Sequence, residues 1–216
     1  MKFEQFEQLA DLSPLDFFTL AIPLQHVSAF PQRLSLKKHL LPNTEAWLGE
    51  SSFAHVTAAW HEEGLLFEFE VDKALEQSLY PDFTEGDSLE LFLDTRDLKN
   101  AKYLTRFCHH FLILPQEVQG ISSQEITRFP SEDSHPLCDP ALIQVTTELL
   151  SSKYRIRVQL PAACLHGYDP RSFDRLGFTY RLNRYQGEPQ HFSVSENDYP
   201  IERYPALWST LYLVGL

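Results

Sequence analysis

Between Leu65 and Val71 the chain alternates strictly. Leu65, Phe67, Phe69 and Val71 fall on one side of an extended backbone, and Leu66, Glu68 and Glu70 fall on the other. Tyr154, Ile156, Val158 and Leu160 repeat the pattern against Arg155, Arg157 and Gln159. A period of two fits a β-strand with one buried face and does not fit a helix. Comparable runs occupy 18–24, 53–61, 87–94, 108–114, 142–150, 176–183, 191–195 and 208–214, and Gly, Pro, Asn, Asp or Ser separates most of them. Two pairs read as hairpins, one turning at His61-Glu62-Glu63-Gly64 and one at Ser151-Ser152. About ten strands without a long helical period predict an all-β fold, a two-sheet and mostly antiparallel β-sandwich with minor helical turns.

The organisation follows from the same reading. Residues 1–12 carry Phe3, Phe6 and Leu9 at helical spacing and form an N-terminal segment, a short helix or a turn docked on the core. Residues 13–216 form one sandwich domain, a size that all-β folds commonly keep undivided. Residues 25–50 and 116–140 read as irregular, the latter with one short strand, and Pro161–Leu165 as a single helical turn. Sixteen Phe, nine Tyr and three Trp suit the space between two packed sheets.

The formal charge of −12 opposes the clustered Lys and Arg that phosphate backbones and anionic lipid surfaces require. Nucleic acid and membrane are therefore not expected partners. Met1–Gln8 has neither a basic stretch nor an apolar one and does not read as a signal peptide. Cys108, Cys138 and Cys164 are odd in number, widely spaced and without a CxxC pair. They predict reduced thiols and a cytoplasmic protein.

Motif chemistry is sparse. There is no GxSxG, no HExxH and no glycine-rich phosphate loop, so no catalytic residue and no cofactor are predicted. His109 and His110 are adjacent on a strand and must point to opposite faces, which prevents both from ligating one ion. No metal site is predicted, although a partner such as His191 or Cys108 is open to either histidine. On the strand Asp87–Asp94, Glu90 shares a face with Ser88, Phe92 and Asp94.

One set of segments is familiar as a series. Val56–Phe67, the pair Val71-Asp72 and Asp87-Ser88-Leu89-Glu90-Leu91-Phe92-Leu93-Asp94 resemble the family 9 carbohydrate-binding modules and the wider DOMON-like sandwich group. Leu160-Pro161-Ala162-Ala163, Leu176–Asn183 and Pro205-Ala206-Leu207-Trp208 resemble the late turn, late strand and closing segment of those domains. The resemblance spans roughly residues 50–214 and departs at His61, where an Asp is expected. It implies a non-catalytic module that binds a saccharide or another small polar ligand. Sugar rings stack on aromatic faces while hydroxyls take planar hydrogen-bonding partners. The candidate ligand residues are therefore Trp47 and Tyr185 for stacking, and Glu90, Arg181, Asn183 and His191 for polar contacts. An alternative is an intracellular protein-interaction domain that kept the sandwich without a sugar site, with a protein partner at an edge strand or at the Phe3/Phe6 segment. A third is an enzyme of unassigned reaction.

Overall fold

The computed structural model describes residues 21–196 and 199–215. The N-terminal segment 1–12 and the first part of the strand expected from Phe18 lie outside them. Eleven strands are present among the described residues. They are β1 (Ala21–His26), β2 (Ala54–His61), β3 (Gly64–Val71), β4 (Ser88–Asp94), β5 (Cys108–Val118), β6 (Ile121–Glu125), β7 (Gln144–Leu149), β8 (Tyr154–Pro161), β9 (Arg175–Arg184), β10 (Gly187–His191) and β11 (Ser209–Val214). Two short helices, α1 (Leu36–His39) and α2 (Glu45–Leu48), interrupt the stretch between β1 and β2.

The strands make one continuous ladder in the order β6-β5-β4-β9-β11-β1-β2-β3-β8-β7, with β10 added beside β9. The ladder doubles over on itself, so its two halves form the layers of a nearly closed sandwich. Aromatic rings mark the contact between them. Phe67 stacks on Phe178 and Phe69 meets Tyr180 edge to face, each pair at a centroid distance of 5.1 Å. Leu65, Phe67, Phe69, Leu89, Leu91, Tyr154, Ile156, Val158, Phe178 and Tyr180 all sit in this core, as the alternation predicts. Each such side chain contributes about 1.5–3 kcal/mol relative to an exposed one. On the far face of the β3–β8 pair the polar residues are also matched. Glu68 is opposite Arg157 and Glu70 opposite Arg155, and the Glu70–Arg155 ion pair measures 3.0 Å.

Several boundaries differ from the sequence expectation, and prolines account for most of them. Pro23 lies inside β1, where β11 is the bonded neighbour and β2 joins only at Gln25 and His26. Both of those pairings are parallel, within a sheet that is otherwise antiparallel. β5 runs through Pro115 to Val118 because its register against β6 shifts between Ile113 and Val118, and such an irregularity tolerates a missing N–H. The strand expected at 191–195 is found instead at Gly187–His191, after which the chain bends away to cover the outer face of β4. At the first hairpin Gly64 has φ +143°, and a Cβ there would meet the Leu160 carbonyl oxygen at 2.1 Å. Only glycine fits that junction of β2, β3 and β8.

The reduced-thiol expectation is corrected. Cys138 and Cys164 form a disulfide across 26 residues, and Cys108 is the free, buried thiol. Cysteine spacing could not show this pairing, because the loop after β6 and the turn after β8 meet only in three dimensions. Reduced thiols therefore no longer support a cytoplasmic location. Burial pushes the Cys108 thiol up to about 12, so it stays protonated and unreactive. Thiol titration of the denatured protein is expected to count one thiol without reductant and three with it. Replacing both Cys138 and Cys164 by Ser should lower the urea-derived unfolding free energy by about 3.5 kcal/mol through the lost constraint on the unfolded chain. A count of three thiols without reductant would contradict the pairing.

Candidate functional site

β4 sits between β5 and β9, and its two faces have different fates. Leu89, Leu91 and Leu93 enter the main core. Ser88, Glu90 and Phe92 point the other way, beneath the segment that follows β10. There Phe92 joins Leu104, Cys108, Val194, Ile201 and Trp208 in a second apolar cluster. Trp208 is anchored by an Nε1–H bond of 2.8 Å to the carbonyl of Ile201. This covering layer leaves Glu90 with no exposed surface.

A buried carboxylate is tolerated only when its acceptor positions are filled. Glu90 lies directly opposite Arg181 in the β4–β9 ladder, and Ser88 lies opposite Asn183. Arg181 donates from Nε to Oε1 at 2.7 Å and from Nη2 to Oε2 at 2.9 Å, the bidentate fork that fits a carboxylate. Asn183 donates from one Nδ2 to Glu90 Oε1 at 2.8 Å and to Ser88 Oγ at 2.9 Å. From β5, His110 places Nε2 2.8 Å from Oε2, and its ring stacks on Phe92 at 4.2 Å. His110 is opposite Phe92 in the ladder, so it reaches Glu90 diagonally. All four acceptor directions of Glu90 are thus occupied.

The electrostatics agree with the geometry. Burial pushes the Glu90 carboxyl up, but the hydrogen bonds and charges of His110 and Arg181 together outweigh it and hold the group at about 2. The outer edge of Arg181 pairs through Nη1 with Glu196. Above this floor opens a cleft of about 490 Å³, rimmed by Phe83, Thr84, Arg128, Glu196, Pro200 and Glu202, with His110 and Arg181 reaching into it. Arg128 is exposed and makes no ion pair among the described residues. A volume of this order accommodates a small ligand.

A smaller cavity of about 270 Å³ lies on the other side of β10, between Leu41, Glu50, Val56, Tyr180, Gln190 and His191. Its polar groups are used internally. Gln190 accepts from the backbone N–H of Phe53 and Ala54 at 2.7 and 2.9 Å and donates to the Tyr180 hydroxyl at 2.7 Å. Glu50 receives the backbone N–H of His191 at 2.9 Å and its Nδ1 at 2.8 Å.

The sequence-based site residues therefore separate. Glu90, Arg181 and Asn183 converge on one cluster. His191 is buried beside it, with Nε2 3.9 Å from the Glu196 carboxylate, but it faces the second cavity. Trp47 is half-buried on α2, and Tyr185 is half-buried in the turn after β9, where its backbone N–H meets Asp87 Oδ1 at 3.2 Å. Neither lines the cleft. His110, Phe83 and Arg128 were not singled out for it. A signal existed for His110, since it follows β4 onto the next strand with the same outward parity as Glu90. Phe83 and Arg128 come from irregular segments with no period to read.

No protein-family model and no curated protein matches the sequence. Solved structures do match. A family 9 carbohydrate-binding module from Caldicellulosiruptor kristjanssonii in complex with cellotriose is similar over 91% of this chain and 95% of that one, with TM-score 0.66 and 16% identity. A family 9 module from the same organism in complex with glucose covers 91% and 97%, with TM-score 0.64 and 15% identity. The fold is similar to that of the family 9 carbohydrate-binding modules. The DOMON-like part of the resemblance gains no support from these matches. Identity this low carries the fold, and the ligand has to be argued from the residues.

The Glu90 cluster has a measurable signature. Because its folded pKa lies below the ordinary value of 4.5, Glu90 stabilises the protein above that value, and the contribution is lost as pH falls towards 2. The shift corresponds to about 3 kcal/mol. Glu125, held at about 2 against its burial by His109 and His135, and Glu70, held there by Lys153 and Arg155, titrate in the same window. The Glu90 share is therefore read as a difference. Glu90→Gln should lose about 3–5 kcal/mol at pH 7 by stranding Arg181 and His110. Its stability should then fall less steeply than the wild type's between pH 4.5 and 2 in urea titrations. Parallel slopes would contradict the assignment.

Proposed function

We propose that the cleft above Glu90 binds a saccharide without catalysing its conversion. The observation that carries this reading is the pre-built polar floor: Arg181 and His110, locked by a saturated buried carboxylate, facing an open cleft that Phe83 helps to line. Glu90 itself has no free acceptor and serves as a positioning residue. A hydroxyl-rich ligand would meet the guanidinium and imidazole edges, the Glu196 and Glu202 carboxylates as acceptors, and Arg128 as a donor. Phe83 offers the apolar face on which a pyranose ring packs. The likeness to modules seen with cellotriose and glucose supports a β-glucan or its glucose end as the ligand class.

Glu90 also bears on catalysis. A carboxylate held at about 2 and fully hydrogen-bonded is a poor general acid or base near neutrality, and it is the most buried carboxylate of the cleft. This supports a binding module over a glycosidase.

Calorimetric titration with glucose and cello-oligosaccharides should show saturable binding with a Kd between roughly micromolar and millimolar, since desolvating hydroxyls offsets much of the gain. Phe83→Ala should weaken it by about tenfold through lost ring packing. Arg181→Lys, which keeps the charge and loses the fork, should weaken it more. Trp47→Ala and Tyr185→Ala should leave it unchanged. Absence of heat with any glycan at millimolar concentration, or sensitivity to Trp47 but not Phe83, would overturn the placement.

A further inference from the structure

β5 carries two adjacent histidines, and only His110 belongs to the cleft. His109 points to the opposite face, stacking on Phe111 at 5.7 Å in the main core. There it meets Glu125 at the end of β6 and His135 from the loop that follows. The three side chains are closed to solvent, with 0% exposure for His109 and Glu125 and 2% for His135. Their donor atoms lie within 4.8 Å of one another. His109 Nδ1 and His135 Nε2 each stand 2.9 Å from the same oxygen, Glu125 Oε1.

The outer nitrogens fix the protonation problem. His135 Nδ1 lies 2.6 Å from the carbonyl of Arg106, which can only accept, so that nitrogen carries the proton. In a neutral ring Nε2 is then a lone pair aimed at a carboxylate oxygen. His109 is oriented in the same sense, with Nδ1 towards Glu125 and Nε2 towards the carbonyl of His166, but at 3.5 Å that outer contact is long and does not by itself fix the tautomer. Glu125 Oε1 also accepts the Thr127 hydroxyl at 2.7 Å, and Oε2 accepts the Cys138 N–H at 2.7 Å. Without a cation, His135 fills both of its contacts only as an imidazolium, while a neutral His109 would donate Nδ1–H to the same oxygen and leave its Nε2 facing the His166 carbonyl unbonded. A cation between the three atoms satisfies them with both rings neutral. Histidine ligands typically hold the second ring nitrogen against a backbone carbonyl in this way.

The geometry points to a divalent transition-metal site, with zinc as its natural occupant, ligated by His109 Nδ1, His135 Nε2 and Glu125. Nitrogen and carboxylate donors suit zinc, and three protein donors leave a fourth position for a small ligand. Tetrahedral zinc spaces its ligand atoms about 3.3 Å apart, so the 2.9 Å contacts open by only a few tenths of an ångström. The site ties the loop after β6 to β5. Residues 126–139 have no helix or strand, a length at which an ordered loop needs a staple. The ion would hold one point of the loop, and the Cys138–Cys164 disulfide holds the next. The other cluster of similar composition, His26, His61 and Glu62, has the opposite tautomer. His61 Nδ1 accepts the Glu63 N–H at 3.1 Å, so Nε2 carries the proton and has no lone pair for an ion.

The full chain, stripped with chelator and dialysed, should take up one equivalent of zinc with a submicromolar Kd by calorimetry. Its Tm should rise by roughly 5–10 °C once zinc is in hundredfold excess over Kd. Cobalt(II) should give the intense visible absorption of a four-coordinate site. His109→Gln and His135→Gln should each weaken zinc binding by at least about 100-fold, and His61→Gln should not. Cobalt spectroscopy on the unaltered chain decides the matter even if those variants misfold. Saccharide affinity should be the same with and without zinc, which separates this site from the cleft. No uptake, an octahedral cobalt spectrum, or a Tm indifferent to zinc would show a histidine–carboxylate charge pair only and overturn the assignment.

Discussion

The carboxylate of Glu90 sits in the middle of a central strand with no exposed surface, and everything around it is arranged to keep it charged. An uncompensated charge there would cost several kcal/mol, enough to threaten a domain of ordinary stability. The compensation comes from neighbouring strands: Arg181 and Asn183 on β9 and His110 on β5. Correct β4 register is therefore an electrostatic requirement as well as an apolar one, since a slip of one residue would turn Glu90 into the leucine core. The same network fixes Arg181 in the cleft. Stability and recognition share one set of hydrogen bonds.

The division of faces on β5 extends the logic. His110 serves the outer carboxylate, Glu90, and His109 serves the inner one, Glu125. Both of these glutamates have histidine for part of their shell, but the shells differ in kind. Glu90 has an arginine fork that brings a fixed positive charge beside the His110 contact. Among the described residues Glu125 has no arginine or lysine in its shell and is surrounded by imidazole nitrogens, a hydroxyl and a backbone N–H.

Much of the fold was legible in the sequence because alternation is a local property. Leu65–Val71 and Tyr154–Leu160 declare their buried faces within seven residues each, and both enter the core as expected. Strand order is not local, and nothing near Ala21 announces that β1 runs parallel between β11 and β2. The site was half legible. Glu90, Arg181 and Asn183 stood out as polar residues on strands, and the ladder brings them together across 91 and 93 positions. Trp47 and Tyr185 stood out as aromatics in irregular segments, and sequence carries no information about which way such segments fold. Phe83 at the cleft rim, and Cys138 against Cys164, were hidden for the same reason.

The central claim is that Arg181, held by Glu90, faces a saccharide. The most direct measurement is a nitrogen-detected NMR titration of the arginine side chains with cellotriose. The Arg181 Nε–H, narrowed and slowly exchanging because Glu90 holds it, should shift saturably together with the His110 ring resonances. A shift confined to the ring of His191 beside the smaller cavity, with Arg181 and His110 unmoved, would contradict the account.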